Sequence, residues 1–162
     1  MSANVYYELK ECLTDLKKFK PILTSVKESE RLAILKQQDN SDNTILMLAA
    51  KCGYLNIVKC ILDLVPAVDL QELLTVQNRR GYTVFHYANF VTREYMSKFV
   101  SPAMLYSDQE GNTFIHCATS FGHTDIVKCV VDSVPPADLW KLLRIPNQQD
   151  QTTLHSLLST TI

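Results

Sequence analysis

An internal repeat constrains the fold of this chain more than any other feature of its sequence. When the sequence is shifted by 69 residues, residues 44–78 align with residues 113–147 without a gap. The aligned copies share the tetrapeptide Ile-Val-Lys-Cys and, further on, the dipeptides Val-Pro and Asp-Leu. Each unit of such a repeat buries its apolar face only against the next unit. The repeat therefore predicts a solenoid of stacked modules.

A shorter motif that begins with threonine occurs four times within this arrangement. The threonines follow one another at intervals of 39, 30 and 39 residues and are Thr44, Thr83, Thr113 and Thr152. The third residue after each of the last three is histidine, and an Asp or Asn precedes each threonine by five residues. Gly53 and Gly122 follow the first and third threonine by nine residues. Because threonine caps helix starts and glycine favours helix ends, the motif predicts a helix, a turn and a second helix.

This motif resembles the T-P-L-H-x-A signature of the ankyrin-repeat family. The resemblance implies an all-α ankyrin-repeat solenoid of stacked helix-turn-helix modules with short β-turn tips over residues 39–162. We expect modules to start near residues 39, 78, 108 and 147, the last one incomplete, and residues 1–38 to form an N-terminal helical cap. The long spacing of the repeats resembles that of ankyrin proteins from intracellular bacteria.

Some modules depart from the family pattern. Asp42 and Asp150 occupy the position of the turn glycine, which Asp tolerates because it visits the left-handed region more readily than most residues. Thr92 stands where a glycine is expected to end the first helix of the second module. We therefore expect Asp42 and Asp150 to keep the usual turn in their tips. We expect the second helix of the second module to be weakly defined.

The 39-residue spacing implies an additional short helix in the first and third modules. Leu70, Leu73 and Leu74 lie at helical spacing behind Asp69, and the same pattern recurs behind Asp138. We expect the proline that precedes each segment to separate it from the previous helix, and Asp69 and Asp138 to act as N-caps.

The first 38 residues lack the signature but have helical periodicity. The apolar residues between Val5 and Leu16 share one helical face, which predicts a helix that Pro21 interrupts. Ser25 and Glu28 have the spacing of a capping box, which predicts that the next helix begins there.

Composition excludes several classes of protein. The formal net charge is −1, with both signs interspersed, so we expect no nucleic-acid partner. No apolar run approaches the roughly 20 residues of a membrane span, and the first residues do not form a signal peptide. Five cysteines without a Cys-x-x-Cys pair favour a reducing compartment, so we predict a cytoplasmic protein without membrane association.

The candidate catalytic side chains all have a structural interpretation. His86, His116 and His155 occupy the signature position, where the imidazole is expected to bond turn backbone. Cys117 follows His116 directly, and adjacent helical residues point in different directions, so this pair does not form a catalytic dyad. The sequence contains neither metal-ligand spacing nor a phosphate-binding loop, so we predict no metal, no cofactor and no enzymatic activity.

The family resemblance implies that another protein docks on the concave face, which the tips and the first helices form. Carried over position by position, the predicted partner-binding residues are Arg79, Arg80, Tyr82, Phe90, Val91, Gln109, Glu110, Asn112 and Phe121. Bulky apolar residues on adjacent modules would form one patch flanked by arginines, a composition typical of interface hot spots. The alternative for Phe90 and Val91 is that they pack inside a distorted second module.

Three functions remain open from the sequence. The first is a non-catalytic protein-binding module, monomeric, of which a host-directed effector or inhibitor from a bacterium or virus is one form; it would act in the host cytosol. The second is a homo-oligomeric scaffold whose C-terminal module pairs with another copy. The third is a cysteine-dependent enzyme, for which Cys117, next to His116, is the only candidate nucleophile. The identity of the partner does not follow from the sequence.

Overall fold

A computed structural model describes residues 2–88, 90–96, 99, 107–120, 122 and 124–155. Its helices are α1 (Ser2–Glu11), α2 (Leu16–Ser25), α3 (Glu28–Leu35), α4 (Ile45–Cys52), α5 (Leu55–Leu64), α6 (Ala67–Thr75), α7 (Val84–Tyr87), α8 (Phe90–Met96), α9 (Phe114–Ser120), α10 (Thr124–Ser133) and α11 (Pro136–Arg144). The β structure in these ranges consists of two isolated bridges, Gln38 to Thr44 and Ser107 to Thr113. The prediction of an all-α solenoid is confirmed.

The helices stack in two rows. The first helices α4, α7 and α9 pack one against the next, and so do the second helices α2, α5, α8 and α10. Small side chains let the first helices approach closely, since Ala49, Ala88 and Ala118 are all buried. Larger apolar side chains such as Ile61 and Phe85 fill the space between the rows. The core is therefore continuous along the stack, as the repeat predicts.

The N-terminal segment breaks at a different place from the one predicted. Helix α1 ends at Glu11, and Asp15 caps α2 by accepting hydrogen bonds from the backbone N–H groups of Lys17 and Lys18 at 3.0 and 3.3 Å. Pro21 lies inside α2 with an exposed ring. The predicted break at Pro21 is wrong because a cap at Asp15 folds α2 back on α1, and on the solvent side the proline costs only one helical hydrogen bond.

The predicted capping box at Ser25 is also wrong. The Ser25 hydroxyl donates to the carbonyl of Ile22 at 2.7 Å and so belongs to the end of α2. Lys27 precedes α3 and makes no side-chain capping bond. A serine in the last turn of a helix satisfies its hydroxyl on the preceding turn, which removes it from capping the next helix.

Helices α1 to α3 form an N-terminal unit that packs against the first module. Helix α1 packs against α2 and α3, α2 packs against α5, and α3 packs against α6. The guanidinium of Arg31 joins the two units, since it donates to the carbonyls of Leu23 (3.3 Å), Val26 (3.2 Å) and Leu64 (3.0 Å). These carbonyls lie at the ends of α2 and α5, where a cation also interacts favourably with the helix dipole.

The inserted helices are present, but they begin earlier than predicted. Helix α6 follows Pro66, whose carbonyl accepts hydrogen bonds from the N–H groups of Asp69 and Leu70 at 2.9 and 3.1 Å. Helix α11 begins at Pro136, so Asp138, like Asp69, lies in the first turn. The assignment of both Asp residues as N-caps is therefore wrong. Proline has no N–H to leave unsatisfied and its fixed φ suits a helix start, so α11 begins at Pro136 itself and α6 begins directly after Pro66.

The second module differs from the other two. Helix α7 is a single turn that ends at Tyr87, and Ala88 leaves the helical region with ψ 112°. Thr92 lies within α8, fully buried, and its hydroxyl donates to the carbonyl of Ala50 at 3.3 Å. A β-branched residue does not adopt the left-handed conformation that glycine supplies, so the helix break lies at Ala88, four residues before Thr92.

Candidate protein-binding face

Each tip is built around one Asp or Asn side chain. The Oδ1 atom of Asn78 accepts hydrogen bonds from the backbone N–H groups of Arg80 and Tyr82, both at 2.9 Å. Asp39, Asp108 and Asn147 make the same pair of bonds in the other tips. A short polar side chain therefore fixes the backbone of every tip, as in an Asx turn.

The fourth position of each tip is left-handed. The φ angles are 61° at Asp42, 78° at Gly81, 79° at Gly111 and 56° at Asp150, which confirms the prediction that Asp takes the place of glycine in the first and fourth tips. A Cβ atom on Gly111 would lie 2.9 Å from the backbone nitrogen of Gln148. The left-handed φ favours glycine at position 111, and the close approach of the next tip leaves no room there for a Cβ atom.

Side chains at the second tip position connect the tips in a ladder. Arg79 donates through Nη2 to the carbonyl of Asn40 (2.8 Å), Gln109 donates to the carbonyl of Arg79 (2.7 Å), and Gln148 donates to the carbonyl of Gln109 (2.6 Å). Backbone bonds of 2.9 Å run from Gln109 N–H to the Arg80 carbonyl and from Gln148 N–H to the Glu110 carbonyl. The second position thus holds the tips together.

The signature histidines connect one module to the next. His86 Nδ1 lies 3.1 Å from the backbone nitrogen of Thr83, and His86 Nε2 lies 3.1 Å from the carbonyl of Asn112. His116 makes the corresponding contacts with Thr113 and Gln151 at the same distances. Because Nδ1 accepts from an N–H group, the ring is neutral with its proton on Nε2, which donates to the carbonyl. The prediction that these imidazoles bond turn backbone is confirmed.

Burial is the main cause that lowers the pKa of both His86 and His116, and it outweighs the bond that each ring makes to backbone. In the first module Met47 takes the place of histidine. Its Sδ atom lies 3.5 Å from the nitrogen of Thr44, while the Thr44 hydroxyl accepts from Met47 N–H at 3.2 Å. Thr44 therefore acts as the predicted N-cap.

Comparison with known families agrees with this geometry, since residues 32–88 match the family model for ankyrin repeats (many copies). The matched segment therefore belongs to the ankyrin-repeat family. No curated protein matches it. Ankyrin repeats generally mediate protein–protein interactions and are generally non-catalytic.

An aromatic cluster lies on the first-helix side of the second ankyrin module. The Tyr82 ring stacks on His86, with centroids 5.4 Å apart, and meets the Tyr87 ring edge-on at 5.4 Å. The Lys51 ammonium lies 5.3 Å from the centre of the Tyr87 ring. The Tyr87 hydroxyl accepts from the side-chain amide of Asn78 at 2.8 Å. Burial, followed by the charges of nearby acids, raises the pKa of Tyr82, which therefore stays neutral.

Sequence reasoning did not place Tyr87 among the partner-binding residues. The signal was available, because Tyr87 follows Thr83 by four residues, and the equivalent positions Leu48 and Cys117 are also partly exposed. This position is therefore partly accessible in the first three ankyrin modules.

The predicted partner-binding residues have different environments. Arg79, Arg80, Gln109 and Glu110 are exposed, and Val91 is 50% exposed. The side chains of Phe90 and Phe121 lie outside the described part of the structure, so the predicted patch stays a prediction.

Tyr82 and Asn112 are half-buried. Tyr82 packs within the aromatic cluster, and Asn112 joins two tips by accepting from Asn147 Nδ2 at 3.1 Å and donating to Asp108 at 3.3 Å. These two residues therefore contribute to the ankyrin scaffold as well as to its surface.

The remaining reactive side chains are dispersed. Cys12, Cys52, Cys60 and Cys117 form no disulfide among the described residues. Across the same part of the chain, no three His, Cys, Asp or Glu side chains come close enough to hold a metal ion. None of the helices described above is both long enough and apolar enough to cross a bilayer.

Proposed function

We propose that this ankyrin-repeat protein is a non-catalytic binding module that holds another protein against its concave face. The observation that supports this proposal is that the four positions of a tip have different roles. The first, second and fourth positions of a tip fix the backbone or the contact with the next tip, whereas the third-position side chains are exposed and, among the described residues, make no hydrogen bond or ion pair. The third-position residues are Ser41, Arg80, Glu110 and Gln149.

Arg80 and Glu110 are the charged members of this set. Their backbone N–H groups are held by Asn78 and Asp108 at 2.9 and 3.0 Å, so the main chain under each side chain is rigid. Among the described residues neither side chain has an ion-pair partner, in contrast to Arg79, which pairs with Asp42 at 3.4 Å. A rigid main chain adds no backbone ordering cost on binding, and an unpaired charge can meet a partner without first breaking an ion pair. We therefore place Arg80 and Glu110 at the centre of the contact.

The aromatic cluster extends this surface toward the first helices. Lys51 is exposed over the Tyr87 ring, and Val91 presents an apolar side chain in the second module. Tyrosine and arginine are frequent anchors of protein interfaces, because they combine large apolar area with a polar end. Together with the tips, these residues would form a surface of mixed polarity that suits a folded protein or an extended peptide.

The environment of the histidines argues against catalysis. Both ring nitrogens of His86 and His116 are occupied by backbone groups, so neither ring has a nitrogen left for a substrate proton. Burial raises the pKa of the Cys60 thiol, which opposes formation of a reactive thiolate. We propose that the chain has no enzymatic activity.

We further propose that residues 1–38 cap the stack and that the protein is a monomer in the cytosol, where unpaired thiols persist. For an effector or inhibitor from an intracellular bacterium or a virus, this would be the host cytosol. Such a protein would block a host protein by occupying its surface. The long repeats and the helical cap motivate this form of the hypothesis.

The proposal is tested by quantitative affinity capture with two variants. Arg80→Ala/Glu110→Ala removes the exposed third-position charges, and Lys128→Ala/Asp132→Ala removes an equal pair of charges from α10, on the second-helix row. We expect the first variant to bind the specific partner at least about thirtyfold more weakly, because truncating one central interface charge costs roughly 2 kcal/mol or more. We expect the second variant to bind as the parent does. Equal capture by both variants would refute the proposed face.

Self-association is the second candidate, and one comparison within the chain favours it. Leu62 in the first module is 2% exposed, whereas Val131, its equivalent in the third module, is 43% exposed, and Trp140 on α11 is 61% exposed. Sedimentation velocity at several concentrations distinguishes the two candidates. A mass that rises with concentration in the parent, and not in Trp140→Ser, would favour the homo-oligomer over the monomeric binding module.

A further inference from the structure

A basic segment lies on the N-terminal unit, away from the tips. Residues 16–27 contain Lys17, Lys18, Lys20 and Lys27 and no acidic residue, so a quarter of the 16 basic residues of the chain lies in this short segment. All four lysines are exposed. Since the net charge of the whole chain is −1, this concentration of positive charge is local.

The neighbouring acid does not neutralise the segment. The Asp15 carboxylate accepts hydrogen bonds from two backbone N–H groups of α2, and it approaches the Lys18 ammonium only to 3.8 Å. An exposed ion pair of this kind contributes little interaction free energy. Among the described residues, no carboxylate lies within ion-pair distance of Lys17 or Lys20. Their charges are therefore available to a partner.

A groove adjoins these lysines. It lies between the turn that joins α1 to α2 and the turn that joins α4 to α5, with a volume of about 580 Å³. Its apolar lining comes from the half-buried side chains of Leu13, Leu16, Tyr54 and Leu55. Lys17 and Asp15 also line it, and the Asp15 carboxylate is engaged by the backbone N–H groups at the start of α2. The groove therefore combines apolar surface with the lysine charge of α2 and a carboxylate that already accepts two hydrogen bonds.

A second depression continues this surface along α2. It has a volume of about 490 Å³ and shares Leu16 and Lys17 with the first groove, while Lys20, Pro21 and Thr24 complete it. The two depressions form a path along α2 with lysines at one helical turn from each other. We call these two depressions together the α2 groove.

We propose that the α2 groove is a second binding surface, separate from the concave face, and that it binds an acidic peptide segment carrying large apolar side chains. The apolar side chains would enter between the two turns, where Leu13, Leu16 and Leu55 offer surface that water otherwise covers. The carboxylates would pair with Lys17 and Lys20. Charge complementarity of this kind accelerates encounter and fixes orientation.

The shape of this surface favours a peptide over an anionic membrane. A bilayer surface is flat and would contact the exposed lysines, but it would leave the apolar floor between the two turns unfilled. Single side chains of an extended peptide fit a concave depression of this size. A measurement of binding to anionic vesicles therefore distinguishes a peptide partner from a membrane.

The test measures fluorescence anisotropy of two labelled dodecapeptides. One alternates Glu or Asp with Leu or Phe, and the other replaces each Leu and Phe by Ser. We expect the first peptide to bind the parent with a Kd that rises with salt. We expect the second peptide to bind at least about tenfold more weakly than the first. Lys17→Glu/Lys20→Glu should weaken the first peptide by about tenfold or more.

The matched control is Lys128→Glu/Lys141→Glu, which makes the same change in net charge on α10 and α11 and should bind as the parent does. Arg80→Ala/Glu110→Ala should also bind as the parent does, which separates this surface from the concave face. Circular dichroism melting checks that every variant folds. The proposal is overturned if the serine peptide binds equally well, if both lysine pairs weaken binding equally, or if only phosphatidylserine vesicles respond to Lys17→Glu/Lys20→Glu.

Discussion

His86 and Asn112 link two adjacent ankyrin modules through a single hydrogen bond, in which the imidazole Nε2–H donates to the backbone carbonyl at 3.1 Å. The bond exists only for one tautomer of the neutral ring, because Nδ1 accepts from Thr83 N–H at 3.1 Å. The same histidine therefore caps its own helix and fixes the tip of the next module. His116 repeats this arrangement with Gln151.

The first prediction concerns the stability of the fold against pH. Burial lowers the pKa of His86 and His116 below the ordinary 6.5 of an unfolded chain, so the unfolded state takes up protons first as pH falls. Their contribution to stability is complete above about pH 6.5 and is lost as pH falls from there toward the lowered pKa. Urea unfolding at several pH values measures this loss.

The control for the pH prediction is His86→Asn/His116→Asn, which removes both titrating groups. We expect this variant to be less stable at neutral pH by about 1–3 kcal/mol for each buried partner left unpaired. Its stability should depend less on pH between 7.5 and 5.5 than that of the parent. An unchanged pH dependence would mean that other groups cause the effect.

The second prediction compares two glycines with similar φ and different surroundings. Gly111 and Gly122 have φ of 79° and 68°, but a Cβ on Gly111 would lie 2.9 Å from Gln148 N, whereas a Cβ on Gly122 would meet nothing within 4 Å. Both alanine variants lose roughly 1–2 kcal/mol from the left-handed backbone. We expect Gly111→Ala to lose about 1–3 kcal/mol more from overpacking, measured by chemical denaturation. Equal losses would contradict the close approach of the third and fourth tips.

The third prediction concerns Arg31, which joins the N-terminal unit to the first module. Arg31→Met keeps the aliphatic length but leaves the carbonyls of Leu23, Val26 and Leu64 without this donor. We expect a loss of about 1.5–3 kcal/mol in the free energy of unfolding, the range for hydrogen bonds to a charged group. Arg144→Met, at an exposed position on α11, should change it by less than about 0.5 kcal/mol.

The fourth prediction distinguishes the roles of the oxygen and the nitrogen of the Asn78 side-chain amide. Its Oδ1 holds the tip, while its Nδ2 donates to Asn43 Oδ1 (2.9 Å) and to the Tyr87 hydroxyl (2.8 Å). Asn78→Asp keeps the acceptor that Asp39 and Asp108 use in other tips but loses both donor bonds. We expect it to cost about 1–3 kcal/mol, because Asn43 is left unpaired while buried, and Asn78→Ala to cost more. Thermal melting monitored by circular dichroism orders the three proteins.

The fifth prediction orders the thiols by reactivity at neutral pH. Cys52 is exposed, whereas Cys60 is buried and its pKa is raised chiefly by that burial. In variants that retain only one cysteine, a thiol-reactive probe should label Cys52 far faster than Cys60, because Cys52 is accessible and burial opposes formation of the reactive thiolate at Cys60. Labelling of Cys117 faster than a model thiol would revive the hypothesis of a cysteine-dependent enzyme.

The sequence alone determined the architecture, because an ankyrin module is specified by local rules. Thr44 as a helix cap, His86 and His116 as tip connectors, and Asp42 and Asp150 in the left-handed position could all be predicted from residue type and spacing. For Thr44, Asp42 and Asp150 the decisive geometry lies within a few residues along the chain, whereas the carbonyls that His86 and His116 reach lie 26 and 35 residues away and are brought close by the repeat.

Tertiary contacts decided what local rules left open. The break in the N-terminal unit moved from Pro21 to Asp15 because α2 must fold back on α1, and the second module bent at Ala88 because Thr92 is buried against Ala50. Tertiary structure also decided the environment of each tip side chain. The side chains of Arg79 and Gln109 hydrogen-bond to the neighbouring tip, whereas those of the equally exposed Arg80 and Glu110 do not. Two adjacent residues in a turn have similar local propensities, so only the position of the neighbouring module distinguishes a scaffold residue from one available to a partner.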